Sequence, residues 1–167
     1  VFTGNRAEYG LLSPLITAIE DAADMHLVLF VGGALLNEKY GETLSDIEAG
    51  GIPIAQKIHI LEPGVNSVTT AGAISDAIME CEKAFLKEDL DGIFVYADRY
   101  EGFAAIIAAS HSNIPVLHIE GGDLTNGGAF DDNVRHSMTK LSHLHFPSND
   151  NAVDVILRLG EEPWRVC

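Results

Sequence analysis

Two short apolar runs that each end at an acidic residue constrain the fold of this chain most strongly. Residues 92–97 read G-I-F-V-Y-A and stop at Asp98, and residues 114–119 read I-P-V-L-H-I and stop at Glu120. Runs of this length, bounded by turn signals, are typical of strands that are buried on both faces. The intervening segment, Tyr100–Ser112, is rich in alanine and isoleucine and predicts a helix. The stretch therefore predicts a β-α-β unit, in which the crossover makes the two strands parallel.

The acids that follow these runs are candidates for a site. Because parallel strands end at the same edge of a sheet, Asp98 and Glu120 are expected to face one crevice, and ligands bind at this edge in open α/β sheets. A third acid, Asp131 or Asp132, follows a glycine-rich loop. Neighbouring carboxylates shift one another's pKa apart, so one can act as a base and another as an acid. A single acid in such a place can simply cap the next helix, but three acids together favour a site.

The glycine-rich loop and the helix after it supply further candidates. Gly121 and Gly122 allow the chain to approach a ligand closely or to move over it; an ordinary mobile loop is the alternative. Arg135 and His136 lie about one turn into the predicted helix and are placed to contact substrate.

The opening turn is a second candidate site. Residues 4–6 read G-N-R between the end of a strand and a predicted helix, where free backbone N–H groups and the helix dipole favour anions. The turn has neither the phosphate-binding G-x-x-x-x-G-K-[ST] pattern nor the dinucleotide G-x-G-x-x-G pattern. Arg6 is predicted to hold a phosphate; the alternative is a surface arginine paired with Glu8.

The rest of the chain repeats the alternation of strand and helix. The predicted strands are Val1–Thr3, His26–Val31, Ile52–Ile60 and His143–Pro147, in addition to the two central runs. The first predicted helix follows the turn at residues 4–10 and runs to about residue 23. The others lie near residues 37–49, 67–87, 131–141 and 149–159, in addition to the central one. This order predicts an α/β fold with a doubly wound parallel sheet, Rossmann-like, in one domain over residues 1–167.

Composition excludes several classes of function. The net charge of −15 and the pI near 4.6 argue against nucleic-acid or anionic-membrane partners. No apolar run approaches the roughly 18–20 residues of a membrane span. Two distant cysteines fit a reduced, cytoplasmic protein. His143 and His145 lack the partners of a metal site, so neither a metal nor a cofactor is expected. The chain opens on V-F-T-G and closes on W-R-V-C, which we interpret as part of a longer protein.

Three segments carry a resemblance to a known family. They are G-N-R-A-E-Y-G at residues 4–10, A-D-R-Y-E-G-F-A-A at residues 97–105, and H-I-E-G-G-D-L-T-N-G-G-A-F-D-D-N-V-R-H at residues 118–136. The chain resembles the N-terminal half of UDP-N-acetylglucosamine 2-epimerases, most closely the hydrolysing branch that feeds sialic-acid and other nonulosonic-acid synthesis. The resemblance implies a GT-B type enzyme with two Rossmann-like domains, of which the C-terminal one is absent here. It also implies a UDP-sugar substrate and a homo-oligomer in the full-length enzyme.

The resemblance also implies a reaction and a set of residues. UDP is eliminated across C1–C2 of the sugar to give a 2-acetamidoglucal, and water then adds to give N-acetylmannosamine or its diacetamido analogue. By motif, Asp98, Glu120 and Asp131 match the family's catalytic acids, without deciding which acid does which step. Arg6 matches an arginine on the phosphate side. Substrate contacts are further implied for five residues of the third segment, namely Gly121, Gly122, Asp132, Arg135 and His136.

Departures from the family pattern leave the substrate open. Gly33-Ala34 stands where many relatives have Gly-x-His, Ala97 replaces a glycine, and Leu11 replaces a lysine found in several relatives. A diacetamido sugar nucleotide of the legionaminic- or bacillosamine-type route is therefore a credible substrate. The alternatives are a non-hydrolysing 2-epimerase, a GT-B glycosyltransferase domain, and a sugar-nucleotide-binding module without catalysis.

Overall fold

The computed structural model describes residues 1–37, 43–125 and 130–167 and contains the expected alternation of strands and helices. The strands are β1 (Phe2–Thr3), β2 (Leu29–Gly32), β3 (Ile54–Ile58), β4 (Ile93–Tyr96), β5 (Val116–Ile119) and β6 (Leu144–Phe146). The helices are α1 (Arg6–Asp21), α2 (Thr43–Ala49), α3 (Thr70–Phe85), α4 (Tyr100–His111), α5 (Phe130–Leu141) and α6 (Asp150–Arg158). Short 3-10 turns span Gly33–Leu36 and Pro163–Arg165.

All of the strand pairs within the described residues are parallel. Strands β1, β2 and β3 form one three-stranded sheet and β4, β5 and β6 form another, and β1 lies beside β4. The resulting order, β3-β2-β1-β4-β5-β6, is that of a doubly wound Rossmann fold, in which ligands bind where the strand order reverses. That point lies between β1 and β4, and the predicted fold class is confirmed.

Helices cover both faces of the strands. Phe2 and Phe30 belong to a buried cluster with residues of α3 and α4, and the rings of Phe30 and Phe85 meet edge to face at 4.9 Å. The alternate strand residues Leu29 and Val31 pack instead with α1. Because successive strand side chains point to opposite faces, this division places the sheet in the middle layer of the domain.

Most predicted elements are confirmed, with differences at their ends. The long third helix begins at Thr70 rather than Ser67 because Asn66 and Ser67 have positive φ and the Thr69 hydroxyl caps the helix by accepting the Gly72 N–H at 3.0 Å. The helix expected over residues 37–49 is described from Thr43 onward; residues 38–42 lie outside the described part of the chain. Before them, Gly33 adopts a φ of 55° and begins a tight 3-10 turn.

None of the helices in the described ranges has the length and apolar character needed to cross a bilayer.

Candidate active site

A crevice lies at the carboxyl ends of the strands, beside the point where the strand order reverses. Its volume is about 630 Å³, and its walls come from the segments that follow β1, β2, β3 and β4. Its polar side chains are Asn5, Arg6, Asn37, His59, Glu62, Arg99, Tyr100 and Glu101. The crevice therefore has the location, size and mixed lining of a small-molecule site.

The opening turn places Arg6 in this crevice. Asn5 caps α1 by accepting the Glu8 N–H at 3.0 Å, and the Glu8 carboxylate reaches back to the Gly4 N–H at 2.8 Å. This reciprocal arrangement satisfies two free N–H groups at the start of the helix. Glu8 is buried and bonds Gly4 rather than Arg6, so the alternative in which Glu8 pairs with Arg6 at the surface is not supported.

Asp98 and Glu120 follow neighbouring strands at the same edge, as expected. Tyr96 of β4 is in register with Ile119 of β5, so the two acids leave the sheet side by side. The φ angles are 57° at Ala97, just before Asp98, and 58° at Glu120 itself. Such left-handed backbone at non-glycine residues costs free energy and clusters at functional sites. The φ at Ala97 is one that glycine adopts more readily than alanine.

Asp98 belongs to a cluster centred on Arg135. One nitrogen of the buried Arg135 guanidinium donates to the Asp98 carboxylate. The other donates to Asp132 at 3.0 Å and to the Asp123 carbonyl at 2.7 Å. Asp132 also accepts the Thr125 N–H at 3.0 Å. Arg135 therefore orients Asp98 and anchors the segment before α5, a position that favours an indirect role over direct contact with substrate.

The other two candidate residues of α5 are Asp131 and His136. Asp131 is exposed in the first turn of the helix and has no ion-pair partner among the described residues. His136 is half-buried, and its Nδ1 has no hydrogen-bond partner within the described part of the chain. The Asp131 carboxylate is therefore accessible to a ligand, whereas the unpartnered Nδ1 of His136 is buried.

Glu120 has a partner that the sequence did not suggest. Burial raises the pKa of the Tyr96 hydroxyl, and its interaction with the nearby Glu120 carboxylate raises it further. The hydroxyl therefore remains protonated at neutral pH and can donate a hydrogen bond to the carboxylate. The alternation along β4 could have suggested this contact, because Tyr96 is the last strand residue before the site.

His118 of β5 is completely buried. Its Nε2 donates to the Ala97 carbonyl at 2.7 Å, and its Nδ1 lies 3.3 Å from the Thr139 hydroxyl. Burial lowers the pKa of His118 to about 4, so the ring is neutral. The ring ties the backbone that precedes Asp98 to α5.

Gly121 and Gly122 allow close packing within the protein. A Cβ at Gly121 would lie 2.9 Å from His118 Nδ1, and a Cβ at Gly122 would lie 2.3 Å from the Ala152 carbonyl oxygen. Gly122 also has a φ of 84°. The two glycines were predicted to approach a ligand; the close contacts shown here are with β5, α5 and α6.

The crevice also contains an ion pair that was not predicted from the sequence. Glu101 in the first turn of α4 is buried, and Arg99 holds it through two hydrogen bonds of 3.0 and 3.2 Å. The adjacency of Arg99 to Asp98 was the available signal. Within the described ranges, no group of three or more His, Cys, Asp or Glu side chains is arranged to hold a metal ion.

Comparison with known proteins identifies related sequences. Residues 17–167 match the family model described as UDP-N-acetylglucosamine 2-epimerase. A relative from Legionella pneumophila, named UDP-N,N'-diacetylbacillosamine 2-epimerase (hydrolyzing), is 34% identical over 96% of this chain and 42% of its own length. A relative from Campylobacter jejuni, named GDP/UDP-N,N'-diacetylbacillosamine 2-epimerase (hydrolyzing), is 36% identical over 99% of this chain and 43% of its own.

A solved structure shows the same fold. The UDP-N-acetylglucosamine 2-epimerase from Neisseria meningitidis, solved with UDP-N-acetylglucosamine bound, matches with a TM-score of 0.85 at 19% identity. The match covers 99% of this chain and 44% of that one. The chain therefore spans less than half the length of the relatives it matches.

Proposed function

Because this chain belongs to the UDP-N-acetylglucosamine 2-epimerase family, we propose that the protein containing it is a hydrolysing 2-epimerase of UDP-linked 2-acetamido sugars. In the first step, a base removes the C2 proton, the C1–O bond breaks and UDP leaves, giving a 2-acetamidoglucal. In the second step, water adds its oxygen to C1 while a proton is delivered to C2 from the opposite face. The products are UDP and the free sugar with C2 inverted.

The observation that carries this proposal is the placement of Asp98 and Glu120 at adjacent strand ends, on the edge of the sheet where Arg6 and Arg99 line the crevice. Removal and return of a proton at C2 require positioned acid and base groups, and departure of UDP requires stabilisation of the diphosphate. Asp98 and Glu120, with Asp131 from α5, supply the acids. Arg6 at the start of α1 supplies a cation next to the helix dipole.

The names of the two relatives favour a particular substrate. Both are named as acting on N,N'-diacetylbacillosamine nucleotides, so we propose UDP-N,N'-diacetylbacillosamine as the preferred substrate and UDP-N-acetylglucosamine as the alternative. The product of either substrate is a 2-acetamido sugar with the C2 configuration that nonulosonic-acid synthesis uses. We place this activity in the cytoplasm.

The remainder of the enzyme forms the other wall of the site in this proposal. The relatives are more than twice as long as this chain, and we propose that the complete protein carries a second Rossmann-like domain in a GT-B arrangement. We also propose that the complete protein is a homo-oligomer.

Isotope incorporation tests the reaction. The full-length protein should convert the UDP-sugar to UDP and the free 2-epimer. In D₂O the product should carry deuterium at C2, and in H₂¹⁸O it should carry ¹⁸O at C1. UDP-linked 2-epimer as the sole product would indicate a non-hydrolysing epimerase. Sugar transfer to an added acceptor would indicate a glycosyltransferase, and binding without turnover would indicate a non-catalytic module.

Substitutions in the Asp131-Asp132 pair test the assignment of acids. Asp131 is exposed and has no described ion-pair partner, whereas Asp132 is held by Thr125 and Arg135. We expect Asp131→Asn to lower kcat at least about 100-fold, as for loss of a group that moves a proton, with little change in Tm. Asp132→Asn should instead lower the Tm, because it weakens the contacts with Thr125 and Arg135, and it should have the smaller effect on kcat. The reverse order of kcat effects would assign the catalytic role to Asp132.

A further inference from the structure

The two residues of the Arg99–Glu101 ion pair differ in their exposure to the crevice. Arg99 Nη2 lies 3.0 Å from Glu101 Oε1 and Arg99 Nε lies 3.2 Å from Glu101 Oε2, the two-pronged geometry in which an arginine matches a carboxylate. The Glu101 side chain is 1% exposed, whereas that of Arg99 is 47% exposed. The carboxylate is therefore anchored in the protein, and part of the guanidinium faces the crevice.

The floor of the crevice is shaped around Glu101. A Cβ at Gly4 would lie 3.1 Å from Glu101 Cβ, and a Cβ at Gly33 would lie 3.0 Å from Glu101 Cγ. Glycines at the ends of β1 and β2 therefore make room for this side chain. A buried carboxylate is unfavourable unless a charge and hydrogen bonds compensate it, and Arg99 supplies both.

A second buried acid strengthens this arrangement. Glu8 lies near Glu101, and burial raises the pKa of Glu8 to about 7, with the charge of Glu101 as a further cause. A protonated Glu8 carries no charge, so it adds no negative charge opposite Arg99.

Arg6 lines the same crevice as Arg99. Arg6 is the first residue of the 16-residue helix α1, it is exposed, and it has no ion-pair partner among the described residues. The crevice therefore presents two guanidinium groups, one from the segment after β1 and one from the segment after β4. A dianionic group is the chemical complement of such a pair.

We propose that Glu101 is a positioning residue that holds Arg99 in the crevice, so that Arg99 and Arg6 together bind the diphosphate of the UDP-sugar. The identity of this anion rests on the proposed function. Because the diphosphate gains charge as the C1–O bond breaks, fixed guanidinium groups stabilise the departing UDP more than the bound substrate. Holding Arg99 in advance also lowers the entropy lost when it binds the diphosphate.

Calorimetry with UDP and with uridine tests this inference on the full-length protein. Loss of a hydrogen bond to a charged group corresponds to roughly a 10- to 100-fold loss of affinity, so Arg99→Ala should weaken UDP binding by about that factor. Glu101→Gln keeps the charge of Arg99 but breaks the two-pronged contact, and it should weaken UDP binding by about 3- to 10-fold. Neither variant should change uridine binding, because uridine lacks the diphosphate.

Matched variants separate positioning from charge and from folding. Lys83→Ala removes one positive charge from an exposed side chain of α3 that pairs with Glu80, and it should change UDP affinity less than about twofold, as expected for a distant, screened charge. If Glu101→Gln fails to fold, Arg99→Lys provides the same test. It keeps the charge and loses the planar fork, and it should weaken UDP binding but not uridine binding.

Each outcome supports or contradicts the inference. Equal losses for UDP and uridine, or unchanged UDP affinity in Arg99→Ala, would overturn it. If Arg99→Ala turned over the UDP-sugar and bound UDP with unchanged affinity, the epimerase proposal would be supported and the inference about Arg99 would be contradicted. Arg99-dependent UDP binding without release of UDP from any UDP-sugar would support the anion site and contradict the epimerase proposal. No UDP binding by the wild-type protein would overturn both.

Discussion

At the scale of single residues, Glu8 is the acid whose protonation is most strongly shaped by its surroundings near the crevice. Burial raises the pKa of Glu8 to about 7 from the ordinary 4.5, while the Gly4 N–H and the Arg99 charge act in the opposite direction. The neighbouring charge of Glu101 adds to the increase. The folded protein therefore keeps this proton up to near-neutral pH, whereas the unfolded chain loses it at a much lower pH.

This difference predicts a pH dependence of stability. Because the folded state binds the proton more tightly, Glu8 contributes stability at low pH that is lost as the pH rises through about 7. The full shift corresponds to about 3 kcal/mol. Glu8→Gln, which cannot ionise but can still accept the Gly4 N–H, should therefore gain stability relative to the wild type as the pH rises from 5 to 8. Differential scanning calorimetry across this pH range measures the change.

A variant on the same helix serves as the control. Glu20→Gln removes an exposed carboxylate of α1, and its Tm difference from the wild type should stay nearly constant over the same range. An equal change with pH in both variants would contradict the assignment of the effect to Glu8.

The site could be predicted in part at this scale. Asp98 and Glu120 were predictable because each ends an apolar run, and strand order alone brings such ends together. The roles of Arg135 and Tyr96 could not be predicted in this way. Arg135 contacts Asp98, which is distant in sequence, and Tyr96 interacts with Glu120, which follows the adjacent strand. The direction of a side chain at a helix start or strand end depends on packing that a motif does not specify. Asp132 illustrates this, since its Thr125 partner lies seven residues earlier in the chain.

At the scale of elements, the periodicity of apolar residues was sufficient for the sheet and most helices. The two central strands were predicted within one or two residues of β4 and β5 because burial on both faces leaves an uninterrupted apolar run. Helix starts were less predictable because they depend on single capping contacts, such as that of Thr69 with Gly72. The 3-10 turn at Gly33–Leu36 was also missed, since it depends on the positive φ of Gly33.

The junction between β5 and α6 yields a prediction about packing. Gly122 has a φ of 84°, and a Cβ there would lie 2.3 Å from the Ala152 carbonyl oxygen. Both the backbone and the contact oppose a larger residue, so Gly122→Ala should lower the free energy of unfolding by at least about 3 kcal/mol. Urea denaturation of the full-length protein measures the loss.

Gly160 is the matched control for this junction. Its φ is 89°, but an added Cβ would meet no atom within 4 Å, so Gly160→Ala should cost only about 1–2 kcal/mol from the backbone alone. Equal losses for the two variants would show that the contact with α6 contributes nothing beyond the φ angle.

At the scale of the whole molecule, the charge distribution predicts how much of the substrate this chain can hold by itself. The chain carries a net charge of −15, and the cations near the strand ends are already compensated in part. Arg135 is bound to Asp98 and Asp132, and Arg99 is bound to Glu101. The carboxyl edge of this sheet therefore provides only one side of a diphosphate site, and few of its positive charges are free of a carboxylate partner.

Residues 1–167 in isolation should therefore bind UDP weakly or undetectably, while the full-length protein binds it. Two arginines can recognise a diphosphate, but the free energy of binding also requires desolvation and contacts to the uridine, which a second wall supplies. Calorimetry with UDP measures both affinities, and a thermal melt of the isolated chain shows whether it is folded. Micromolar affinity of the folded chain for UDP would contradict the prediction. In that event the nucleotide site would lie within this domain. Contacts to the uridine would then have to outweigh the repulsion between the diphosphate and the acidic residues at the carboxyl edge of the sheet.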